Sequence, residues 1–248
     1  DLVELADQVQ NIEQMKRRLQ RKLDRSRRAT NPDNYADNGT IRRGVKLTHN
    51  KSNRYRRTQR ELRYLQHCQA EIRKRQHIEL ANHLLALGDC FYVEDMVWPS
   101  LTHRAKETAI SEKTGRIKRK KRFGKSVANK APATLIGILE QKCNSLGLPG
   151  VMKVPTSLRA SQYNHQSGEY TSKPLSQRWN NMPDGERIQR DLYSAFLLQH
   201  YDPQAGNFDS ELLQQDYPQF VQYHHRAIQR LSAVPKTLSS MGIQRSLR

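Results

Sequence analysis

Ile188-Gln-Arg-Asp191-Leu-Tyr-Ser-Ala-Phe-Leu197 is the stretch on which the fold turns. It sets one carboxylate, Asp191, directly after Arg190 and at the head of an apolar, helix-forming run. A negative charge in the first turn opposes the positive end of the helix dipole, so Asp191 alone reads as a first-turn charge. A second isolated carboxylate changes its weight. Glu94 closes the short apolar run Cys90-Phe-Tyr-Val93, within Val-Glu-Asp-Met. One acid at a strand end and one at a helix start, in a very basic chain, suggest a divalent metal acting at a phosphodiester. Hard oxygen ligands suit Mg²⁺, and paired ions about 4 Å apart would activate water and stabilise the leaving oxygen. Such a site needs a third carboxylate. Asp95 would point to the opposite face if the strand continues, and residues 1–24 offer no strand that carries one.

The chain of 248 residues holds 43 Lys and Arg against 24 Asp and Glu, a net charge of +19. That length allows one or two domains with a real core, although only 35% of the residues are hydrophobic. Such a charge excess calls for a polyanionic partner, nucleic acid above an anionic membrane surface. No apolar run approaches the roughly 20 residues that span a bilayer, and the polar, acidic start is no signal peptide. The chain starts at Asp1 instead of Met, so a segment upstream is expected. Cys68, Cys90 and Cys143 are scattered, with no Cys-x-x-Cys pair, which argues against a cysteine zinc site and a disulfide framework. They read as small hydrophobes of a reducing, cytosolic protein.

Leu2, Leu5, Val9, Ile12, Met15, Leu19 and Leu23 step by threes and fours and predict a first amphipathic helix. Turn formers follow at Asn31-Pro-Asp-Asn34 and Asp37-Asn-Gly39. A second helix is predicted from about Ser52 to Leu87, with Leu62, Leu65, Cys68, Ile72, Leu80, Leu84 and Leu87 on its apolar side and Gly88 as its stop. The pair should fold back as an antiparallel hairpin. Cys90–Val93 and Val151–Val154 read as strands. Between them lies a helix near Lys130–Ser145, with Pro132 in its first turn and Ser126 or Asn129 as its cap. Strand, helix, strand is the order of an α/β layer. Thr156 to Gly185 reads as polar loop, a last helix starts near Phe208, and the tail Lys236–Arg248 reads as loosely ordered. No internal repeat is evident.

Five stretches, in order, resemble the C-terminal part of the TnpB family, the OrfB-type proteins of insertion sequences related to type V CRISPR effectors. They are Leu19-Gln-Arg-Lys-Leu-Asp-Arg-Ser-Arg-Arg28 with Asn31-Pro-Asp-Asn-Tyr35; Ser52-Asn-Arg-Tyr55; Val93-Glu94-Asp-Met; Arg122-Phe-Gly-Lys-Ser126 leading to Lys130-Ala-Pro132; and Ser161-Gln-Tyr163 through Leu175-Ser-Gln-Arg-Trp179 to Gln189-Arg-Asp-Leu-Tyr-Ser-Ala195. Together they span residues 19 to 197. The resemblance implies an α/β fold: an incomplete RNase-H-like (RuvC) domain with a long inserted antiparallel helical hairpin. It implies a hairpin over 1–88, a RuvC-like segment over 89–205 with a ribbon-like loop at 156–188, and a C-terminal helix and tail over 206–248.

The implied activity is DNA cleavage under RNA guidance, with Glu94 and Asp191 as catalytic metal ligands and two Mg²⁺ ions in the complete site. The first catalytic Asp would lie upstream of Leu2, so the chain is expected to be truncated and to cut poorly. Guide RNA and a DNA target are the implied partners, without a membrane, in a prokaryotic cytoplasm near the nucleoid. Many relatives carry a four-cysteine ribbon before the final Asp. Here Tyr163-Asn-His165-Gln and Asn181-Met-Pro-Asp184-Gly lack cysteine, and His165 alone cannot bind zinc tetrahedrally. No zinc is expected, and packing and hydrogen bonds must hold the loop.

The cations best placed for phosphate are Arg25, Arg27, Arg28, Arg42, Arg43 and Arg54 near the hairpin tip, with Arg56 and Arg57 beside them. The run Lys118, Arg119, Lys120, Lys121, Arg122, then Lys125, Lys173, Arg178 and Arg190, complete the set. Tyr55, Tyr163 and Trp179 are candidates for base stacking. Two other readings compete: a nuclease-derived nucleic-acid-binding regulator or accessory protein without cleavage, and a structural basic coiled coil.

Overall fold

Steps of three and four residues give two long helices, α1 (Val9–Thr30) and α2 (Asn53–Leu85). The computed structural model describes residues 4–37, 39–102, 110–112, 124–174, 176–233 and 241–243. Residue numbers rise on one helix as they fall on the other along the line of contact: Asp7 meets Gln76, Gln8 meets Arg75, Glu13 meets Gln69, and Ser26 meets Ser52. The helices are therefore antiparallel. α1 begins and ends later than the Leu2–Leu23 stripe suggests, and α2 ends before Gly88.

The seam differs from the leucine face read in the sequence. The fully buried residues of α2 are Thr58, Gln69, His77 and Ala81, while Leu87 is 72% exposed. The reason is a polar cluster inside the hairpin. Glu13 accepts from Lys16 at 3.0 Å and from Gln69 at 3.2 Å, and Lys16 also donates to Gln69. A buried carboxylate holds its place only when so paired.

The chain folds as two units, each discontinuous in sequence. One comprises residues 4–84 and 101–138, and the other comprises 1–3, 85–100 and 139–248. In the first unit the hairpin is joined by α4 (Gly124–Lys130) and the start of α5 (Pro132–Leu146). Lys130 pairs with Glu4 at 3.4 Å, and Arg73 donates to the Ala128 carbonyl at 2.9 Å. Ala131, at φ +41°, breaks the helical run between α4 and α5. A residue before proline is driven out of the α-helical region, so Ser126 and Asn129 lie inside α4 and do not cap α5. The short α3 (Trp98–Thr102) precedes this stretch.

The second unit carries β1 (Cys90–Glu94) and β2 (Gly150–Val154), which pair in parallel from Cys90 opposite Gly150 to Glu94 opposite Val154. A Cβ at Gly150 would lie 3.3 Å from the Cβ of buried Cys143, and its φ of +85° also favours glycine. α6 (Arg190–Gln199) packs on β1, and α7 (Ser210–Ser232) packs on α6. The core gathers Ile188, Tyr193, Phe196, Leu197, Leu213 and Tyr217 with Phe220, whose ring stacks on Phe196 at 4.4 Å. α7 thus belongs with the sheet, whereas the sequence suggests a boundary after 205. The fold is of mixed α/β class. Among the described residues no helix is long and apolar enough to cross a membrane.

The stretch read as polar loop holds hairpins: β3 (Tyr163–Asn164) with β4 (Glu169–Tyr170), and β5 (Trp179–Asn181) with β6 (Arg187–Gln189). A further hairpin after α6 joins β7 (Tyr201–Asp202) to β8 (Asn207–Phe208). The first and last are copies of one device. Tyr163-Asn-His-Gln-Ser-Gly-Glu-Tyr170 and Tyr201-Asp-Pro-Gln-Ala-Gly-Asn-Phe208 share Tyr-Asx-x-Gln-x-Gly-x-aromatic. Asn164 accepts from the Gln166 N–H at 3.0 Å, as Asp202 does from Gln204 at 2.8 Å. The backbone N–H groups of Gly168 and Gly206 return to the carbonyls of those same residues at 2.8 and 2.9 Å. Both glycines have positive φ, 71° and 65°. The chain does contain an internal repeat.

Asn31 and Asn34 do more than turn the chain at the hairpin tip. Buried Asn31 donates to the carbonyls of Arg27 at 3.0 Å and Asn50 at 2.9 Å, and accepts from the Asn50 N–H at 2.8 Å. Asn34 clasps Thr48 in the same manner. Asn31→Ala is expected to lower unfolding stability by about 2 kcal/mol, because three partly buried bonds to the backbone of Arg27 and Asn50 are lost. Urea denaturation reads this, and a loss under about 0.5 kcal/mol, the scale of neutral surface changes, would show that the clasp carries no weight.

Candidate metal and nucleic-acid site

Glu94 ends β1 with its side chain half-buried, opposite Val154 of the parallel partner. The ladder runs one bond further, from the Asp95 N–H to the Val154 carbonyl at 2.9 Å, before the Met96 N–H turns back to Glu94 at 2.8 Å. The carboxyl end of parallel strands is where α/β proteins hold ligands. Asp191 lies in the first turn of α6, the helix packed on β1, so the two carboxylates sit on adjoining elements of one unit. Asp95 is exposed.

The Asp191 carboxylate is 48% exposed, while Gln189 and Arg190 before it are buried. Gln189 donates to Oδ2 at 3.2 Å, and the Arg190 guanidinium donates to Oδ1 at 3.4 Å. A carboxylate has about four lone-pair sites, so each oxygen keeps capacity for a further partner. Mg²⁺ is commonly held by one or two carboxylates together with waters and substrate phosphates. The donor chemistry of Glu94 and Asp191 fits such an open site. Among the described residues no three or more His, Cys, Asp or Glu side chains form a group able to hold a metal by themselves.

The Gln189 N–H donates to Nε2 of His224 at 3.0 Å. That nitrogen must be unprotonated to accept. Burial, then neighbouring His225, push the His224 pKa down to about 4.

The cations fall into different settings. Arg25, Arg43 and Arg54 are exposed. Arg27 and Arg28 bond Asp24 at 2.8 and 2.9 Å, and these bonds, Arg28's first, hold its carboxyl below the usual range. Arg28 also donates to the Gly39 carbonyl at 2.7 Å and lies over the Tyr35 ring. Arg28, Arg42 and Arg43 line one open hollow at the tip, with Ala36, Gly39, Thr40 and Ile41. Lys118, Arg119, Lys120, Lys121 and Arg122, and the side chain of Lys125, lie outside the described residues. Lys173 is partly buried against Asn180 at 2.9 Å, and burial lowers its pKa. Arg178 is half-buried.

Arg190 departs from the free phosphate contact read in the sequence. It is buried, and its guanidinium bonds the Gln177 carbonyl at 3.1 Å as well as Asp191. Its charge serves the loop before β5. Two proposed stacking residues are also engaged in packing. Tyr163 stacks on Phe208 at 5.4 Å, and Trp179 donates to the Gly242 carbonyl at 2.8 Å under the Arg187 guanidinium. Gly242 is confined, since a Cβ there would meet Arg178 at 2.6 Å. Residues 241–243 of the tail are therefore docked, with Ile243 buried.

The cysteine-free loop is held by a polar clasp. Gln166 of one turn donates to Asp184 of the next at 2.8 Å. His165 is buried, with Nδ1 2.7 Å from the Tyr193 hydroxyl, and burial lowers its pKa. Gln189 and His224 escape the sequence reading as site residues. The only sequence signal is a side chain able to cap, one place before the helix. Comparison with known proteins returns no matching family model and no matching curated sequence.

Below pH 6.5 the unfolded chain protonates His224, while the folded chain resists until about pH 4. Stability should therefore fall as pH drops through that window, by roughly 3 kcal/mol at most from this residue. His165 and His77, also lowered by burial, add to the slope, so the test is the difference between proteins. His224→Gln should flatten the curve of unfolding free energy between pH 6.5 and 4, and an unchanged slope would contradict the assignment.

Proposed function

We propose that this chain belongs to a metal-dependent endonuclease of the TnpB type, cutting DNA under the guidance of a bound RNA through a RuvC-like site. The observation that supports the reading is that Glu94 ends a parallel strand and Asp191 begins the helix packed on that strand. The charge of +19 and the arginine-lined hollow at the hairpin tip support a polyanionic partner.

Glu94 and Asp191 would hold Mg²⁺ in company with the scissile phosphate, and Arg190 would restrain Asp191 from behind. Bound Mg²⁺ supplies a more acidic water and offsets the charge on the phosphodiester. In this reading Arg25, Arg28, Arg42, Arg43 and Arg54 contact backbone phosphates without reading bases, since guide pairing reads sequence in such systems.

A second reading, a nuclease-derived binder or regulator that no longer cuts, draws on the same basic charge and arginine-lined hollow without calling on the carboxylates. The two separate in one experiment on the protein as its gene encodes it, loaded with guide RNA. Glu94→Ala and Asp191→Ala should each reduce Mg²⁺-dependent cleavage by about a hundredfold to a thousandfold, the scale on which single catalytic groups act, with RNA and DNA affinity within about twofold of wild type. Cleavage retained by either variant sinks the nuclease assignment. A wild type that binds tightly and never cuts supports the binder.

A further inference from the structure

We infer that Gln189 is a positioning residue for Asp191, holding its carboxylate in one orientation for the divalent cation it would share with Glu94. This rests on the metal-site reading above and goes beyond it, because it assigns the accuracy of the site to a neutral side chain.

Gln189 has no exposed surface, and its N–H and side-chain amide are all engaged. Its N–H goes to His224 Nε2 at 3.0 Å. Its Oε1 accepts the Leu192 N–H at 2.8 Å, which caps α6. Its Nε2 donates to Asp191 Oδ2 and to the Met241 carbonyl, each at 3.2 Å. The amide therefore has one allowed orientation. Flipped, its NH₂ would face the Leu192 N–H, and its oxygen would face both the Asp191 carboxylate and the Met241 carbonyl. Each contact would become repulsive.

Asp191 itself has no such enclosure. Its carboxylate is half-exposed, and a free surface side chain samples several rotamers. The Arg190 contact is the longer of its two bonds, at 3.4 Å, and that guanidinium also serves the Gln177 carbonyl. The donor held most rigidly against Asp191 is thus the Gln189 amide. Ligand groups lose affinity when their orientation is left free, as carboxylate partners of metal ligands show generally.

A residue that only caps the helix makes a different prediction from one that orients a ligand. Gln189→Ser keeps a strong N-cap oxygen but removes the amide that reaches Asp191. The measurement is Mn²⁺ binding, followed by the electron paramagnetic resonance signal of free Mn²⁺, on the protein as its gene encodes it, with thermal unfolding recorded in parallel. Wild type should bind Mn²⁺ at a site lost in Asp191→Asn. Gln189→Ser should weaken that site about tenfold, while its melting temperature falls by a few degrees only. If the cavity left by serine unfolds the protein, Gln189→Asn, a shorter amide that still caps, is read in the same way. Wild-type Mn²⁺ affinity in a folded Gln189 variant overturns the positioning role and leaves the metal site standing. No Asp191-dependent Mn²⁺ binding in the wild type overturns the site, and the inference falls with it.

Discussion

The N-terminus of α6 is the constraint on which the sheet-bearing unit depends. A helix start exposes N–H groups without intrahelical partners, and three of those at α6 are answered by separate groups. The Leu192 N–H is capped by Gln189, and the Arg190 N–H bonds the Arg178 carbonyl at 2.9 Å. The Gln189 N–H reaches across to His224 on α7. β6, the segment before β5, the docked tail residues and α7 thus agree on where the helix begins. Asp191 inherits its location from that agreement, and α6 carries it to the strand that ends in Glu94.

The segment before α6 obtains order without cysteine. Its two hairpin turns each pair an Asn or Asp side chain with a nearby N–H group and place a glycine at positive φ. Gln166 and Asp184 then tie one turn to the next, and His165 is sealed under Tyr193 and Tyr217. The same turn is used again between α6 and α7, where Phe208 stacks on Tyr163 and so joins the two copies. Local hydrogen bonds shape the turns, while aromatic burial of large area supplies the cohesion.

Long periodic segments are legible in the sequence. α2, β1, β2 and α7 declare themselves through apolar spacing, and Glu94 and Asp191 fall at a strand end and a helix start as their sequence setting suggests. Two-residue strands carry no periodicity, so the hairpins are invisible to it, although Asn164…Gly168 and Asp202…Gly206 are readable as turns. The hairpin seam misleads for a different reason. Glu13, Lys16 and Gln69 satisfy one another, so polar residues fill positions that propensity gives to leucine. Arg190 and Gln189 reach partners 13 and 52 residues away, and no local pattern encodes such pairings.

The central claim is that Glu94 and Asp191 serve one cation. A crystal of the protein soaked in Mn²⁺, with data collected at the manganese edge, tests it most directly. The account predicts an anomalous peak about 2.1 Å from a carboxylate oxygen of each residue, the distance typical of a small hard cation. Mn²⁺ bound elsewhere, or to one of the two carboxylates without the other, would contradict it.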